Sequence, residues 1–162
     1  MKKLLIPIII LFFLASCNGQ TKKENPAAEK TVVNNLPRLE ITLMDGSKKQ
    51  ARELSGKNIL VLFFPDCEHC QEEAKEMEAN LDAFKGYTLY FLSSNPKPEI
   101  EAFAANYKLT GKKNVKFGMV SGESVITNFG PIPTPSIYIY NGKRLMKSFN
   151  GQTDIEIVKS AL

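Results

Sequence analysis

Two cysteines separated by two residues, Cys67 and Cys70, are the pair in this sequence best suited to covalent chemistry. They stand between a continuous apolar run, residues 58–64, and a segment with an apolar residue at every third or fourth position from 70 to 84. That order predicts a buried strand followed by an amphipathic helix, which puts the first sulfur at the positive end of the helix dipole and the second one turn deeper. We therefore predict that a Cys67 thiolate attacks a substrate disulfide, that Cys70 resolves the mixed disulfide, and that the two then form the disulfide Cys67–Cys70.

The residues between the two cysteines are predicted to tune this redox pair. A protonated His69 would stabilise a thiolate on Cys67, whereas the neighbouring acidic residues would oppose it: Asp66, Glu68, Glu72 and Glu73. Because these effects act in opposite directions, the motif does not predict whether the pair reduces or oxidises its substrate. A solvent-facing His69 with no tuning role is the alternative interpretation.

Other uses of a cysteine pair fit the sequence less well. A structural zinc site needs four ligands, and the sole histidine, His69, lies between the cysteines and cannot readily converge with both. A covalent haem site needs histidine directly after the second cysteine, where this chain has Gln71. A purely structural disulfide would close too short a loop to stabilise much. We therefore expect no metal and no cofactor beyond the cysteine pair, and keep Cu(I) binding by the two thiolates as the alternative.

The elements that must position the cysteines begin near residue 36. Alternating apolar residues at 39–43 predict a half-buried strand, and the run at 58–64 predicts a strand covered on both faces. The helix that follows has Asp66 as its predicted N-cap and Gly86 as its C-terminal stop.

The second half of the sequence continues the alternation of strands and helices. Its clearest feature is a hairpin, residues 136–149, in which Asn141-Gly142 predicts a type I′ turn. The other predicted elements are a strand at 87–92, a helix at 98–107, a strand at 115–120, a helical turn at 124–129 and a final helix at 153–162. Residues 36–162 are therefore predicted to form one α/β domain with a mixed central β-sheet and helices on both faces.

The beginning of the chain has the order of an export signal. In residues 1–16, Lys2 and Lys3 precede an apolar run and then small residues, and the apolar run is about half of the roughly 20 residues needed to span a bilayer. A signal peptide that is removed is therefore favoured over a permanent transmembrane helix. Residues 14–17, Leu-Ala-Ser-Cys, resemble the lipobox of bacterial lipoproteins, which implies lipidation of Cys17. An ordinary cleavage site that happens to precede a cysteine is the alternative.

Residues 17–35 are predicted to be the lipidated cysteine and a flexible tether, because they are polar and lack apolar periodicity. As a flexible coil this segment would reach on the order of 25 Å. Without Lys2 and Lys3 the basic and acidic side chains nearly balance, and no basic stripe is interleaved with aromatic residues. Nucleic-acid binding is therefore not expected.

The folded part carries five landmarks: Asp45-Gly46, Gly56-Lys57, Phe63-Phe64, the Cys-x-x-Cys motif and Thr134-Pro135-Ser136. With these landmarks it resembles the thioredoxin-like thiol–disulfide oxidoreductases of the membrane-tethered TlpA-type branch, within the wider redoxin group. The resemblance implies a thioredoxin-like fold and a cis peptide bond before Pro135, beside the cysteines. It also implies that Thr134 and Pro135 form the platform for the backbone of the substrate.

The sequence also departs from thioredoxin. Val61 replaces the buried aspartate six residues before the first cysteine, so the usual proton acceptor is missing there. Glu68-His69 replaces Gly-Pro, and Glu68 is the candidate to substitute for the missing acceptor, as the resemblance to tethered relatives implies. A peroxiredoxin is a weaker fit, since Phe64 replaces the threonine expected three residues before the reactive cysteine.

The resemblance implies an enzyme of the bacterial cell envelope, lipid-anchored and facing the periplasm. We expect a monomer that reduces or isomerises disulfides in exported proteins and is itself re-reduced by a membrane electron donor. The alternative is a tethered thiol-based module that binds copper or a partner without turnover.

Overall fold

The computed structural model describes residues 35–162. The predicted signal peptide (1–16), the predicted lipidation site Cys17 and the tether up to residue 34 lie outside the described residues. Within residues 35–162, no helix combines the length and the apolar character needed to cross a membrane.

A seven-stranded mixed sheet runs through the centre of the domain. The strands are β1 (Glu40–Leu43), β2 (Lys48–Gln50), β3 (Lys57–Leu62), β4 (Thr88–Ser93), β5 (Val115–Met119), β6 (Ser136–Asn141) and β7 (Arg144–Asn150). Their spatial order is β2-β1-β5-β4-β3-β6-β7. The inner strands β3, β4 and β5 are parallel, and every other neighbouring pair is antiparallel. The mixed sheet that the sequence predicts is confirmed.

Helices cover both faces of the sheet. They are α1 (Glu68–Ala79), α2 (Lys97–Asn106), α3 (Gly122–Phe129) and α4 (Ile155–Lys159), with short 3-10 helices at Ala51–Glu53 and Leu81–Phe84. On one face α1, α2 and α4 pack on an apolar cluster that includes Val61, Phe91 and Ile137. On the other face α3 packs on a second cluster that includes Leu60 and Leu92. Side chains of β3 and β4 enter both clusters, which explains their unbroken apolar runs.

The helix after β3 differs from its prediction at both ends. Asp66 is not the N-cap, because Cys67 occupies that position and its sulfur accepts the backbone N–H of Cys70. The α-helix ends at Ala79, and the apolar stripe continues to Phe84 in the 3-10 helix Leu81–Phe84 rather than in α1. The chain therefore changes helix type while Phe84 still reaches the core.

The prediction of a type I′ turn between β6 and β7 is wrong. Asn141 is the last residue of β6 and pairs with Arg144, so the two turn residues are Gly142 and Lys143. Only Gly142 has a positive φ, of 58°, whereas type I′ needs two positive values. A β-bulge between Ile139 and Tyr140 shifts the register.

Gly118 in β5 is required by a close approach between strands. A Cβ at this position would lie 2.6 Å from Cγ2 of Ile41 and 3.3 Å from Cδ2 of Leu92. We expect Gly118→Ala to lower the free energy of unfolding by about 1–3 kcal/mol, the usual range for overpacking a core. Urea denaturation measures this change, with Gly86→Ala as the matched control, because a Cβ at Gly86 would meet no atom within 4 Å. Equal stability of the two variants would contradict the prediction.

Candidate active site

Cys67 lies at the N-terminus of α1, directly beyond the end of β3. Pro65 follows the strand and cannot donate a ladder hydrogen bond, so the chain turns there, and the Cys67 N–H donates to the carbonyl oxygen of Phe64 at 3.2 Å. The Cys70 N–H donates to Sγ of Cys67 at 3.3 Å. An amide donor and the N-terminus of a helix thus both face this half-buried sulfur.

The loop before β6 brings Thr134 against the same sulfur. The Cys67 thiol donates to the carbonyl oxygen of Thr134 at 3.6 Å, and the Thr134 hydroxyl lies 3.9 Å from Sγ. The Thr134–Pro135 peptide bond is cis, as the resemblance implies. Pro135 is buried and Thr134 is half-buried. The structure therefore brings together Cys67, Cys70, Thr134 and Pro135, which are distant in the sequence.

Cys70 occupies a different environment one turn along α1. Its side chain is 2% exposed and packs in the cluster formed by α1, α2 and α4. Burial raises the pKa of the Cys70 thiol to about 12, and the hydrogen bond and charge of Cys67 act in the same direction. Both cysteines are free thiols here. At neutral pH Cys70 therefore stays protonated beside a more accessible Cys67.

The two intervening residues point away from the core. Glu68 and His69 are both exposed, and neither forms an ion pair with another described side chain. Among residues 35–162, no three His, Cys, Asp or Glu side chains converge closely enough to hold a metal ion. Any tuning by Glu68 or His69 must therefore act through charge at the surface.

Glu73 is a candidate functional residue whose charge alone would predict an exposed position on α1. It is 1% exposed, and it accepts the backbone N–H of Thr153 at 3.2 Å through Oε2. Its Oε1 is buried without a hydrogen-bond partner in the described part of the chain. Burial raises the pKa of Glu73 to about 7, the Thr153 amide opposes that change, and Glu76 adds to it. The signal in the sequence is its position three residues after Cys70, on the buried stripe.

An apolar cavity of about 270 Å³ is lined by residues next to Cys67, although neither cysteine lines it. Phe64 and Thr134, which both contact Cys67, form part of its wall, and Ile126 of α3 and Ile132 form another part. Phe64 is 42% exposed and Ile126 is 63% exposed, which is unusual for large apolar side chains. The site therefore combines a reactive sulfur with an apolar recess.

Comparisons with known proteins agree with this geometry. The thiol–disulfide oxidoreductase ResA of Bacillus cereus is 26% identical over 159 residues, which cover 93% of this chain and 90% of that protein. The structure of MTB dsbF in its mixed oxidized and reduced forms superposes with a TM-score of 0.65 at 18% identity, over 81% of this chain and 96% of that one. Arabidopsis thaliana ScoI with copper bound gives a TM-score of 0.62 at 13% identity, over 77% and 93% of the two chains.

The two structural matches have low sequence identity and so establish the fold alone, which confirms the predicted thioredoxin-like architecture. The sequence also matches the profile of the AhpC/TSA family over residues 32–148, a stretch that includes β1 to β6 and both cysteines. This match, together with the ResA relative, confirms the predicted resemblance to the redoxin group. The chain belongs to the AhpC/TSA family.

Proposed function

We propose that this chain reduces or isomerises disulfides in exported proteins while it is held at a membrane by a lipid on Cys17. The chain is a thiol–disulfide oxidoreductase of the thioredoxin-like type, in agreement with its ResA relative. The observation that carries the proposal is the difference between the two thiols. Cys67 is half-buried at a helix N-terminus, whereas Cys70 is buried and its pKa is raised to about 12.

This difference assigns one role to each sulfur. The Cys67 thiolate attacks one sulfur of a substrate disulfide, forms a mixed disulfide and releases the other substrate sulfur as a thiolate. Cys70 then loses its proton and attacks Sγ of Cys67, which forms the Cys67–Cys70 disulfide and releases the second substrate thiolate. Two electrons pass from the enzyme to the substrate, and a membrane electron donor restores the dithiol.

We propose that Glu73 takes the proton from Cys70. The two lie three residues apart on the buried face of α1, where side chains at this spacing are neighbours. A carboxyl with a pKa of about 7 exists in both protonation states near neutral pH. Glu73 would thus supply, from a different position in the fold, the buried proton acceptor that is missing at Val61.

The surroundings of Cys67 support a protein substrate. The backbone at Thr134 and Pro135 lies against the sulfur, and the apolar cavity beside it has room for one large side chain. We propose that Thr134 and Pro135 bind the substrate backbone, and that the cavity takes an apolar side chain near the substrate cysteine. Glu68 and His69 remain proposed tuning residues, because both are exposed next to the reacting thiol.

Catalysed reduction of insulin disulfides by dithiothreitol tests the proposal. We expect turnover by the unmodified chain and background rates for Cys67→Ser, because the attacking sulfur is absent. Lys147→Gln, on the far strand β7, is the control for handling and folding. The reduction potential of the pair gives the direction, since about −270 mV favours a reductase and about −120 mV an oxidant. If the unmodified chain reduced insulin no faster than dithiothreitol alone, the proposed enzymatic activity would be refuted.

A copper-binding module is the second candidate. Two thiols at one helix start are suitable for Cu(I), and ScoI carries copper on the same fold. This candidate predicts tight Cu(I) binding by the reduced chain together with no insulin turnover. Turnover that is unaffected by copper chelators would exclude it.

A further inference from the structure

We propose that the end of the domain opposite Cys67 docks on anionic phospholipid headgroups of the membrane that holds the anchor. This inference rests on the membrane anchoring proposed above and adds an orientation to it. It follows from three features of the described residues: the direction of the strands, the distribution of charge between the two ends, and the place where the chain enters the domain.

The parallel strands define two ends of the domain. Cys67 follows the carboxyl end of β3, so the reactive sulfur lies at that end of the sheet. The other end is formed by the starts of β3, β4 and β5, by the turn between β6 and β7, and by the ends of α1 and α2. We call it the basal end and define it as residues 51–57, 78–88, 107–115 and 141–145.

The basal end is strongly basic. Its four segments contain eight Lys or Arg residues and three acidic ones, Glu53, Glu78 and Asp82. Glu78 and Asp82 are already paired with Lys112 and Lys85, at 3.1 and 2.9 Å. The basic residues are Arg52, Lys57, Lys85, Lys108, Lys112, Lys113, Lys143 and Arg144. Lys57, Lys108, Lys113 and Arg144 are exposed and form no ion pair with any described acidic side chain.

The end that carries Cys67 has the opposite charge. We call it the active-site end and define it as residues 63–73, 93–101, 120–136 and 150–156. These segments contain nine acidic residues and a single basic one, Lys97. An anionic bilayer attracts the basal end and repels the active-site end, so charge alone favours one orientation.

The chain enters the domain at the basal end. The N–H of Asn35 donates to the carbonyl oxygen of Lys143 at 2.8 Å, and the N–H of Leu145 donates to Oδ1 of Asn35 at 3.3 Å. The first described residue is therefore held at the turn between β6 and β7, next to Arg144. The 17 residues between Cys17 and Asn35 span at most about 60 Å even when fully extended. The proposed anchor is therefore connected to the domain at its basal end.

Lysine acetylation of the lipidated full chain on vesicles, read by mass spectrometry, tests the orientation. The vesicles are phosphatidylcholine alone, or phosphatidylcholine with about one part in three of phosphatidylglycerol. On the anionic vesicles we expect acetylation of Lys57, Lys108 and Lys113 to slow at least about threefold, and to recover at about 1 M salt, where the Debye length is about 3 Å. Lys75 and Lys97 should be acetylated at the same rate on both vesicles.

Two triple variants serve as matched controls. Lys57→Gln, Lys113→Gln and Arg144→Gln together should abolish the slowing at Lys108, whereas Lys75→Gln, Lys97→Gln and Lys147→Gln together should leave it unchanged. Flotation of the chain with the vesicles measures the anchor separately. If the chain floats with both kinds of vesicle but its lysines are acetylated equally on each, the proposed orientation alone is overturned. A chain that floats with neither overturns the anchor and the orientation together. Insulin turnover, measured on the same samples, tests the enzyme independently of both.

Discussion

Cys70→Ser is expected to convert the enzyme into a trap that stays joined to its substrate through Cys67. The serine hydroxyl cannot attack the mixed disulfide, so release must wait for an external thiol. A group positioned in the same site acts with an effective concentration on the order of 10⁵ M or more, and turnover should therefore fall by at least about a thousandfold. Intact-mass spectrometry of the variant after incubation with a disulfide-containing peptide measures the adduct, which a reductant should remove.

The matched variants decide which sulfur attacks. Cys67→Ser should form no adduct, because Cys70 is 2% exposed and its pKa is raised to about 12. The double variant should form none either. If Cys67→Ser were the variant that accumulated the adduct, with Cys70 as the joined residue, the assignment of roles would be reversed.

Glu73→Gln is expected to stabilise the domain at pH 8 and to remove much of the dependence of its stability on pH between 5 and 8. Burial raises the pKa of Glu73 from 4.5 to about 7 in the folded chain. Below pH 4.5 the carboxyl is protonated in both states, and the folded state bears no charge penalty. Between pH 4.5 and about 7 the unfolded chain releases this proton while the folded chain still holds it, so roughly 2–3 kcal/mol of stability is lost as the pH rises from 5 to 8, and the loss is complete once the pH has passed the folded pKa of about 7.

Urea denaturation at pH 5 and pH 8, with both cysteines kept reduced, measures this effect. The wild-type chain should be less stable at pH 8 than at pH 5, and Glu73→Gln should reduce that difference. Glu72→Gln is the control, since Glu72 is an exposed neighbour on α1 that pairs with Lys75. A Glu73→Gln variant whose stability changed with pH as much as that of the wild type would contradict the assignment of the buried charge.

Local patterns predict most of this fold. The run at 58–64 is typical of a strand covered on both faces, and the spacing from Cys70 to Met77 is typical of the buried stripe of a helix, so the place of the two cysteines follows directly. The N-cap is harder to predict, because Asp66 and Cys67 can both accept a backbone N–H. The turn at Gly142 depends on a bulge in the neighbouring strand, which no two-residue motif reveals.

The properties of the site that depend on tertiary structure could not be predicted. Glu73 has the charge of a surface residue but the position of a core residue, and only packing of α1 against the segment at Thr153 buries it. The contact between Thr134 and Cys67 joins residues 67 positions apart, so no local pattern predicts it, and only the family resemblance places Pro135 beside the cysteines. The opposite charges of the two ends are invisible along the chain, because each end is assembled from four separate segments.

The two outermost strands bear on how such an enzyme handles unfolded chains. A sheet with open edges invites strand addition by any extended polypeptide, and the substrates proposed above for this chain include such polypeptides. Here β2 is only three residues long and carries Lys48 and Lys49, and β7 is interrupted by the bulge opposite Ile139 and Tyr140 and carries Lys147. Short, charged and irregular edges resist aggregation. The rim of the sheet therefore offers little for strand addition by another extended polypeptide.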